Sequence, residues 1–431
     1  MRSINVTKKI STNLYKFLSH IFIMTIMSIN SKEVLDSNGR PTLKVDLISS
    51  EGTFTALVPS GTSIGKYEAL ELRDENGGVK QAINNVNNII APKLIGLNPF
   101  NQKDIDNLMI NLDGTKNKSR LGANAILGIS MAVSRAGAGE SKMPLYGYLQ
   151  KLSENKKLNL PIPLVLVLEG GKHAKNSSDI QEFMILSKAE SFGESLKESS
   201  EIYKMIGMIL KSKKFQTNLG YEGAYCPNLR SNERYLELII NGIENAGYKP
   251  GKEIFIAIDS AASEFYENGK YNLKMDKKIF DSEGLLDFYE SLIKKYPLIS
   301  IEDPFDQNDW ESWKLLTKNL GKKIKIVGDD LTTTNPQKIK LAINKKACNA
   351  FIIKPNQIGT ISETINAFKL AKSANLISII SHRSGETNDS FIADLAVGLG
   401  AEFIKAGSPS KTERFAKYNR LLEIEKELNG L

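Results

Sequence analysis

IFIAID, residues 254–259, is an apolar run that ends on a carboxylate, and the pattern recurs five more times before residue 405. LISIED reaches Glu302, KIKIVGDD reaches Asp329, AFIIK stops at Lys354, ISIISHR at His382 and EFIK at Lys405. The stops are 43, 27, 25, 28 and 23 residues apart, about what one buried strand, one covering helix and two loops require in a parallel α/β repeat. The segments between them carry helix signals. Leu285, Leu286, Tyr289, Leu292 and Ile293 recur at helical spacing and leave Lys294 and Lys295 for solvent. Asn335 ahead of Pro336 is an N-cap followed by a residue with no amide proton to satisfy, and Thr360 with Glu363 forms a capping box.

Strand and helix alternating at this pitch predict a (β/α) barrel, whose strand ends at the C-terminal face point into one mouth. One aspartate after a strand can equally cap the next helix, and one lysine there usually reaches for solvent. Six in register are another matter. Burying that many ionisable groups is costly unless they pair or hold a metal, so they are read as one site.

A chain of 431 residues suits two domains, and its 41% hydrophobic and 25% charged content is that of a soluble globular protein. No apolar run approaches the roughly 20 residues that cross a bilayer, so no membrane span is expected. Cys226 and Cys348 make no metal spacing and fit a reducing compartment, with a single disulfide still open. The net charge of +8 is spread along the chain without a nucleic-acid motif; a solvated basic surface is expected, and one that attracts a small anion.

Residues 1–32 are basic and free of acid, a composition shared with mitochondrial targeting segments. Met24 and Met27 offer internal starts, and residues 1–27 are taken as a disordered extension or one absent from the working protein. From Ser28 the pattern alternates in short pieces around a turn at Ser37–Pro41, as a small antiparallel sheet does. A loop rich in glycine and hydroxyls follows, PSGTSIGKYEALELRD (59–74), and then helical segments near Val79–Leu94 and Ala123–Ala138. These make an α+β front domain over 28–156, with the barrel over 157–431.

From Ser28 to Leu428 the chain resembles enolase (phosphopyruvate hydratase). The resemblance rests on PSGTSIGKYEALELRD, LDGTKNKSRLGANAILGISMAV, IQEFMI, DSAASEF, SIEDPF, VGDDLTTTNP, NQIGT, SHRSGET, FIADLAVGL and ERFAKYNRLLEIEKEL. It implies a TIM-type (β/α)8 barrel with irregular first units, capped by an N-terminal α+β domain. It also implies a cytoplasmic, glycolytic, homodimeric lyase that interconverts 2-phosphoglycerate and phosphoenolpyruvate with Mg²⁺. By position, Asp259, Glu302 and Asp329 correspond to the magnesium ligands, and Ser63 to a residue that helps bind a second magnesium when its loop closes. Lys354 corresponds to the general base and Glu222 to the general acid, assisted by Glu182. His173, Glu182, His382, Arg383, Ser384 and Lys405 complete the substrate site, with Arg383 and Ser384 on the phosphate. Lys354 must be neutral to act, and neighbouring cations are expected to lower its pKa.

Several positions depart from the family pattern. An asparagine is Glu169 here and is followed by Lys172; a small acid beside Glu222 is Tyr221; a threonine in the front loop is Ile64. Asn38 and Arg40 stand in exchanged order, and Pro355 restrains the backbone of Lys354. No catalytic position is lost, yet a 1 Å misplacement can cost on the order of 100-fold in rate. A weakly active or inactive relative kept for binding is therefore the rival reading.

Overall fold

The computed structural model of the chain describes residues 25–62 and 65–430. The extension 1–27 lies almost wholly outside them, as do Ser63 and Ile64.

The front domain opens with the expected antiparallel sheet, β1 (Ser28–Leu35), β2 (Pro41–Ser49) and β3 (Gly52–Leu57). The turn between β1 and β2 is held by Asp36, whose carboxylate accepts from the backbone N–H of Asn38 at 2.8 Å and of Arg40 at 2.9 Å. Leu43, Val45 and Leu47 alternate onto the buried face of β2, against the helix Ala123–Glu140. The segment read as one helix from Val79 is helical but passes through a π turn at Asn85–Ile90.

The barrel closes in the order β4 (Ile162–Glu169), β5 (Glu182–Ser187), β6 (Ile254–Asp259), β10 (Leu298–Glu302), β11 (Lys325–Gly328), β12 (Ala350–Ile353), β13 (Ile377–Ser381), β14 (Phe403–Lys405) and back to β4. Between β6 and β10 a small sheet of β7 (Tyr266–Glu267), β8 (Lys270–Leu273) and β9 (Lys278–Phe280) is inserted, which accounts for the one long gap of 43 residues. Every neighbouring pair in the barrel is parallel except those made by β5, which runs against both β4 and β6. The covering helices follow their sequence signals. Asn335 caps Pro336–Lys345 through its side chain, and Thr360 caps Ile361–Ser373.

Two features fasten the front domain to the barrel. Asp106 accepts from the N–H of Ser362 at 3.0 Å and the Ser130 hydroxyl from that of Ile361 at 2.9 Å, so front-domain side chains complete the start of a barrel helix. Arg135 makes a bidentate pair with Asp389, its shorter contact 2.6 Å. The seam itself is a helix, Leu145–Ser153, packed on the barrel helix Phe391–Leu399.

Candidate active site

Strand register assembles the mouth. Glu169, Glu182, Asp259 and Glu302 are partners across four adjacent strands, a row of carboxylates at one height. Glu182 belongs to this row because β5 is reversed, which brings its first residue to the mouth where its neighbours bring their last. Asp329, Lys354 and His382 each stand one residue past their strands, and Lys405 ends β14. Five of the six stops line one polar pocket with His173, Glu182, Glu222, Arg383 and Ser384, and Glu302, the sixth, is bonded to Lys405. The six therefore converge as their pattern predicts.

Neighbouring strands are only about 5 Å apart, so such a row of carboxylates needs cations. Lys405 supplies one: its ammonium lies 2.9 Å from Glu182, 3.0 Å from Asp259 and 2.9 Å from Glu302. Burial works against its charge, but Asp259, Glu182 and Glu302 outweigh it and hold its pKa well above the ordinary value. Lys354 supplies another by pairing with Asp329, whose second oxygen accepts from Gln357 at 2.8 Å. Burial opposes the Lys354 ammonium too, yet Asp329 raises its pKa overall. That reverses the expected direction: the lysine is a paired cation here, because the nearest charge to it is a carboxylate. Its backbone is extended, as Pro355 requires, and Pro355 opens the short turn Pro355–Ile358.

Across the mouth carboxylates crowd one another. His173 Nδ1 lies 3.6 Å from both Glu182 and Glu222, and His382 Nε2 lies 3.1 Å from Glu222. Arg414 Nη1 donates to His382 Nδ1 at 2.6 Å; a guanidinium cannot accept, so the imidazole proton sits on Nε2 and faces Glu222. Burial pushes the pKa of His382 down to about 4, with Arg414 also opposing its charge, and it is neutral. Burial and Glu222 push Glu182 well above the carboxylate range. For Glu222, burial is outweighed by His382 and His173, which hold it well below.

The departures near the site have definite places. Glu169 is fully buried and accepts from the N–H groups of Glu222 at 3.2 Å and Ala224 at 2.9 Å, so it clamps the loop that carries Glu222. The clamp needs Gly220, where a Cβ would fall 2.3 Å from the Glu169 carboxyl carbon. Burial and the nearby Glu222 push Glu169 up to about 8. Tyr221 is 40% exposed and does not line the pocket; its backbone is what is used, the carbonyl accepting from Lys411 and Arg414 and the N–H donating to the carbonyl of His173 at 3.2 Å. Lys172 turns outward to Glu264 at 2.6 Å. Of the expected ligands only Ser63 lies outside the described residues.

The sequence reading missed the braces behind the site. Arg414 and Lys417 project from the helix Thr412–Leu428 and are fully buried. Arg414 donates to the carbonyls of Arg383 at 2.7 Å and Ser384 at 2.8 Å, and Lys417 pairs with Glu386 at 2.6 Å, so the two cations hold the 382–387 loop from behind. Their signal was available: two basic residues three apart on the helix face that also carries buried Tyr418 and Leu421. Asp303 was also missed. Its oxygens accept from the N–H groups of Asp329 at 3.0 Å and Asp330 at 2.8 Å, and with them it forms an acidic cluster able to hold an ion.

A closed barrel with acids, lysines and histidines gathered at its C-terminal mouth defines an α/β-barrel enzyme with an acid–base site. The matches to known families make this specific: "Enolase, N-terminal domain" covers residues 26–149 and "Enolase, C-terminal TIM barrel domain" covers residues 157–430. The chain belongs to the enolase family. Its membership points to a hydro-lyase of a family that is typically metal-dependent, and the mouth offers an acidic site for a metal. Among the described residues no helix is long and apolar enough to cross a membrane.

Proposed function

We propose that the protein is a magnesium-dependent enolase that reversibly dehydrates 2-phosphoglycerate to phosphoenolpyruvate in cytoplasmic glycolysis, working as a homodimer. The observation that carries the reading is the order of contacts across the mouth. Glu222 and His382 stand at one end, Glu182 and Lys405 in the middle with Asp259 and Glu302, and Asp329 with Lys354 at the other. A proposed base and a proposed acid are thus separated by the groups that would handle the substrate's carboxylate.

Asp259, Glu302 and Asp329 would hold Mg²⁺, with Ser63 assisting a second ion. Their fit is chemical: all three carboxylates offer hard oxygens, and burial with Asp259 nearby pushes Glu302 well above its ordinary pKa, a sign that Lys405 alone does not balance the row. Bound there, the metal would stabilise the doubly charged carboxylate formed when the α proton leaves. A Lys or His base working beside Mg²⁺ is the general pattern of enolase-superfamily sites, and the assignment of Lys354 follows that pattern. Lys354 can act once Asp329 no longer holds its proton in place. Glu182 and Glu222, sharing one proton beside His173, would protonate the departing hydroxyl, and Lys405 would face the substrate's carboxylate. Arg383 and Ser384 would hold the phosphate.

Purified protein should form phosphoenolpyruvate from 2-phosphoglycerate with Mg²⁺ and not with chelator. Absence of turnover in folded protein would favour the rival reading of a binding protein, which Glu169 motivates because it adds a carboxylate beside the acid.

A further inference from the structure

Glu169 ends β4, is fully buried and does not line the pocket, so a substrate there does not reach it. Its own backbone is fixed: the N–H donates to the carbonyl of Tyr225 at 3.0 Å, and the carbonyl accepts from the Ser177 hydroxyl at 2.8 Å. What its carboxyl group holds is backbone as well. Oε2 accepts from the N–H of Glu222 and Oε1 from that of Ala224, and among the described residues these two amides have no other partner. The carbonyls of the same turn are held from elsewhere. Those of Gly220 and Tyr221 accept from Lys411 at 3.2 and 3.0 Å, that of Glu222 from the N–H of Ser408 at 3.2 Å, and that of Gly223 from the Ser410 hydroxyl at 2.6 Å.

The two amides belong to the peptide units just before Glu222 and just after Gly223. Fixing both sets the direction in which the Glu222 side chain leaves the turn, and a misplacement of about 1 Å there is worth on the order of 100-fold in rate. Lys354 is placed by other means. Its N–H donates to the Thr334 hydroxyl at 2.9 Å and its ammonium pairs with Asp329, with no bond to Glu169.

We infer that Glu169 is a positioning residue for the proton-donating half of the reaction. It aims Glu222 through two backbone amides and leaves the proton-abstracting half to itself, so the carboxylate added beside the acid serves the acid. The inference rests on the reading of Lys354 as base and of Glu222 with Glu182 as acid. The two halves break different bonds. Abstraction breaks the α C–H bond and puts its proton on the Lys354 amine; elimination breaks the C–O bond as the acid's proton passes to the departing hydroxyl, which leaves as water. In heavy water the ammonium so formed exchanges with solvent, and reversal of the first half then puts deuterium on carbon whether or not the hydroxyl leaves.

Incubating 2-phosphoglycerate and Mg²⁺ in heavy water with the wild type, Glu169→Gln or Gly220→Ala tests this, with deuterium uptake at the α carbon and phosphoenolpyruvate formation followed together. Glutamine keeps the length of the side chain, but its NH₂ cannot accept, so one amide loses its partner. Alanine at 220 keeps the carboxyl group and pushes it aside, with a Cβ only 2.3 Å from its carbon and no left-handed backbone to forbid the change. Dehydration should fall by about 100-fold in both variants and deuterium uptake by less than about threefold, so the ratio of the two rises by at least about tenfold. In metal-free protein the amides over 220–224 should exchange about tenfold faster in Glu169→Gln, the effect of one lost hydrogen bond. A ratio equal to that of the wild type overturns the inference, whether both rates fall together, as a merely structural weakening would make them, or neither falls. Unchanged amide exchange overturns it too. If Glu169→Gln does not fold, Gly220→Ala decides by the same ratio. A wild type that neither takes up deuterium nor dehydrates overturns the proposed reaction and the inference with it; the inference alone falls when the wild type is active and the ratio does not move.

Discussion

The two sides of the mouth solve the burial of charge differently. Where Lys354 and Lys405 stand, each carboxylate meets an ammonium: Asp329 pairs with the first, and Asp259 and Glu302 with the second, which also reaches Glu182 at the border of the two sides. Where Glu222 stands, Glu169 and Glu182 crowd it, and the two imidazoles facing them are both held below their ordinary pKa, by burial first. A cation beside a carboxylate favours its ionised form, as Lys354 does for Asp329, and other carboxylates nearby favour keeping a proton, as Glu222 does for Glu169. The first side is therefore suited to holding charge and the second to giving a proton away.

The sharpest way to break this contrast is to remove the paired lysine. Lys354→Ala should lower kcat for phosphoenolpyruvate formation by about 1,000-fold or more while phosphate still binds, which turnover assays and calorimetry together would show. Next in size is Arg414→Met, which leaves Arg383 and Ser384 unbraced and His382 free to change tautomer. A loss of about 100-fold in kcat is expected. Arg414 opposes the charge of His382, so without it the imidazole pKa should rise from about 4 toward its ordinary value, and the acid limb of the pH–rate profile should move upward. A merely structural brace would lower the rate without moving that limb.

A smaller effect separates the crowded side from the paired one in stability. Glu169 titrates near 8 in the folded chain against an ordinary value of 4.5, so between those pH values the folded state holds more protons than the unfolded one. Stability should fall as pH rises across that window, by up to about 1.4 kcal/mol per pH unit from this group. Glu169→Gln should flatten the decline in Tm of the metal-free protein from pH 5 to pH 8; an unaltered slope would show that Glu169 does not carry the surplus proton. The smallest effect belongs to Tyr221. Its side chain faces solvent, so Tyr221→Asp should change kcat by less than about twofold and stability by no more than about 0.5 kcal/mol.

How far the sequence could be read follows from where each residue stands relative to its strand. Asp259, Glu302, Asp329, Lys354, His382 and Lys405 were legible because each ends an apolar run in a parallel unit, and parallel units put their ends on one face. Glu182 begins its strand, so the same reading passes over it; only the family resemblance supplied it. Tyr221 beside Glu222 read as a threat to the site because sequence adjacency says nothing about which way a loop residue turns. Arg414 was missed for a different reason. It acts through partners far along the chain, His382 and Arg383, and no local pattern marks such a pairing.

The bonds from Asp106 and Ser130 to the amides of Ser362 and Ile361 bear on how portable the barrel is. Two separately recognised domains invite grafting, with one barrel fitted to another protein's front half. This barrel cannot travel alone. Without that acid and that hydroxyl, the helix Ile361–Ser373 would begin with a bare buried amide at Ile361, costing about 1–3 kcal/mol, and a bare half-buried one at Ser362. A chimera that keeps every residue at the mouth would still need its new front half to present an acid and a hydroxyl at that helix start.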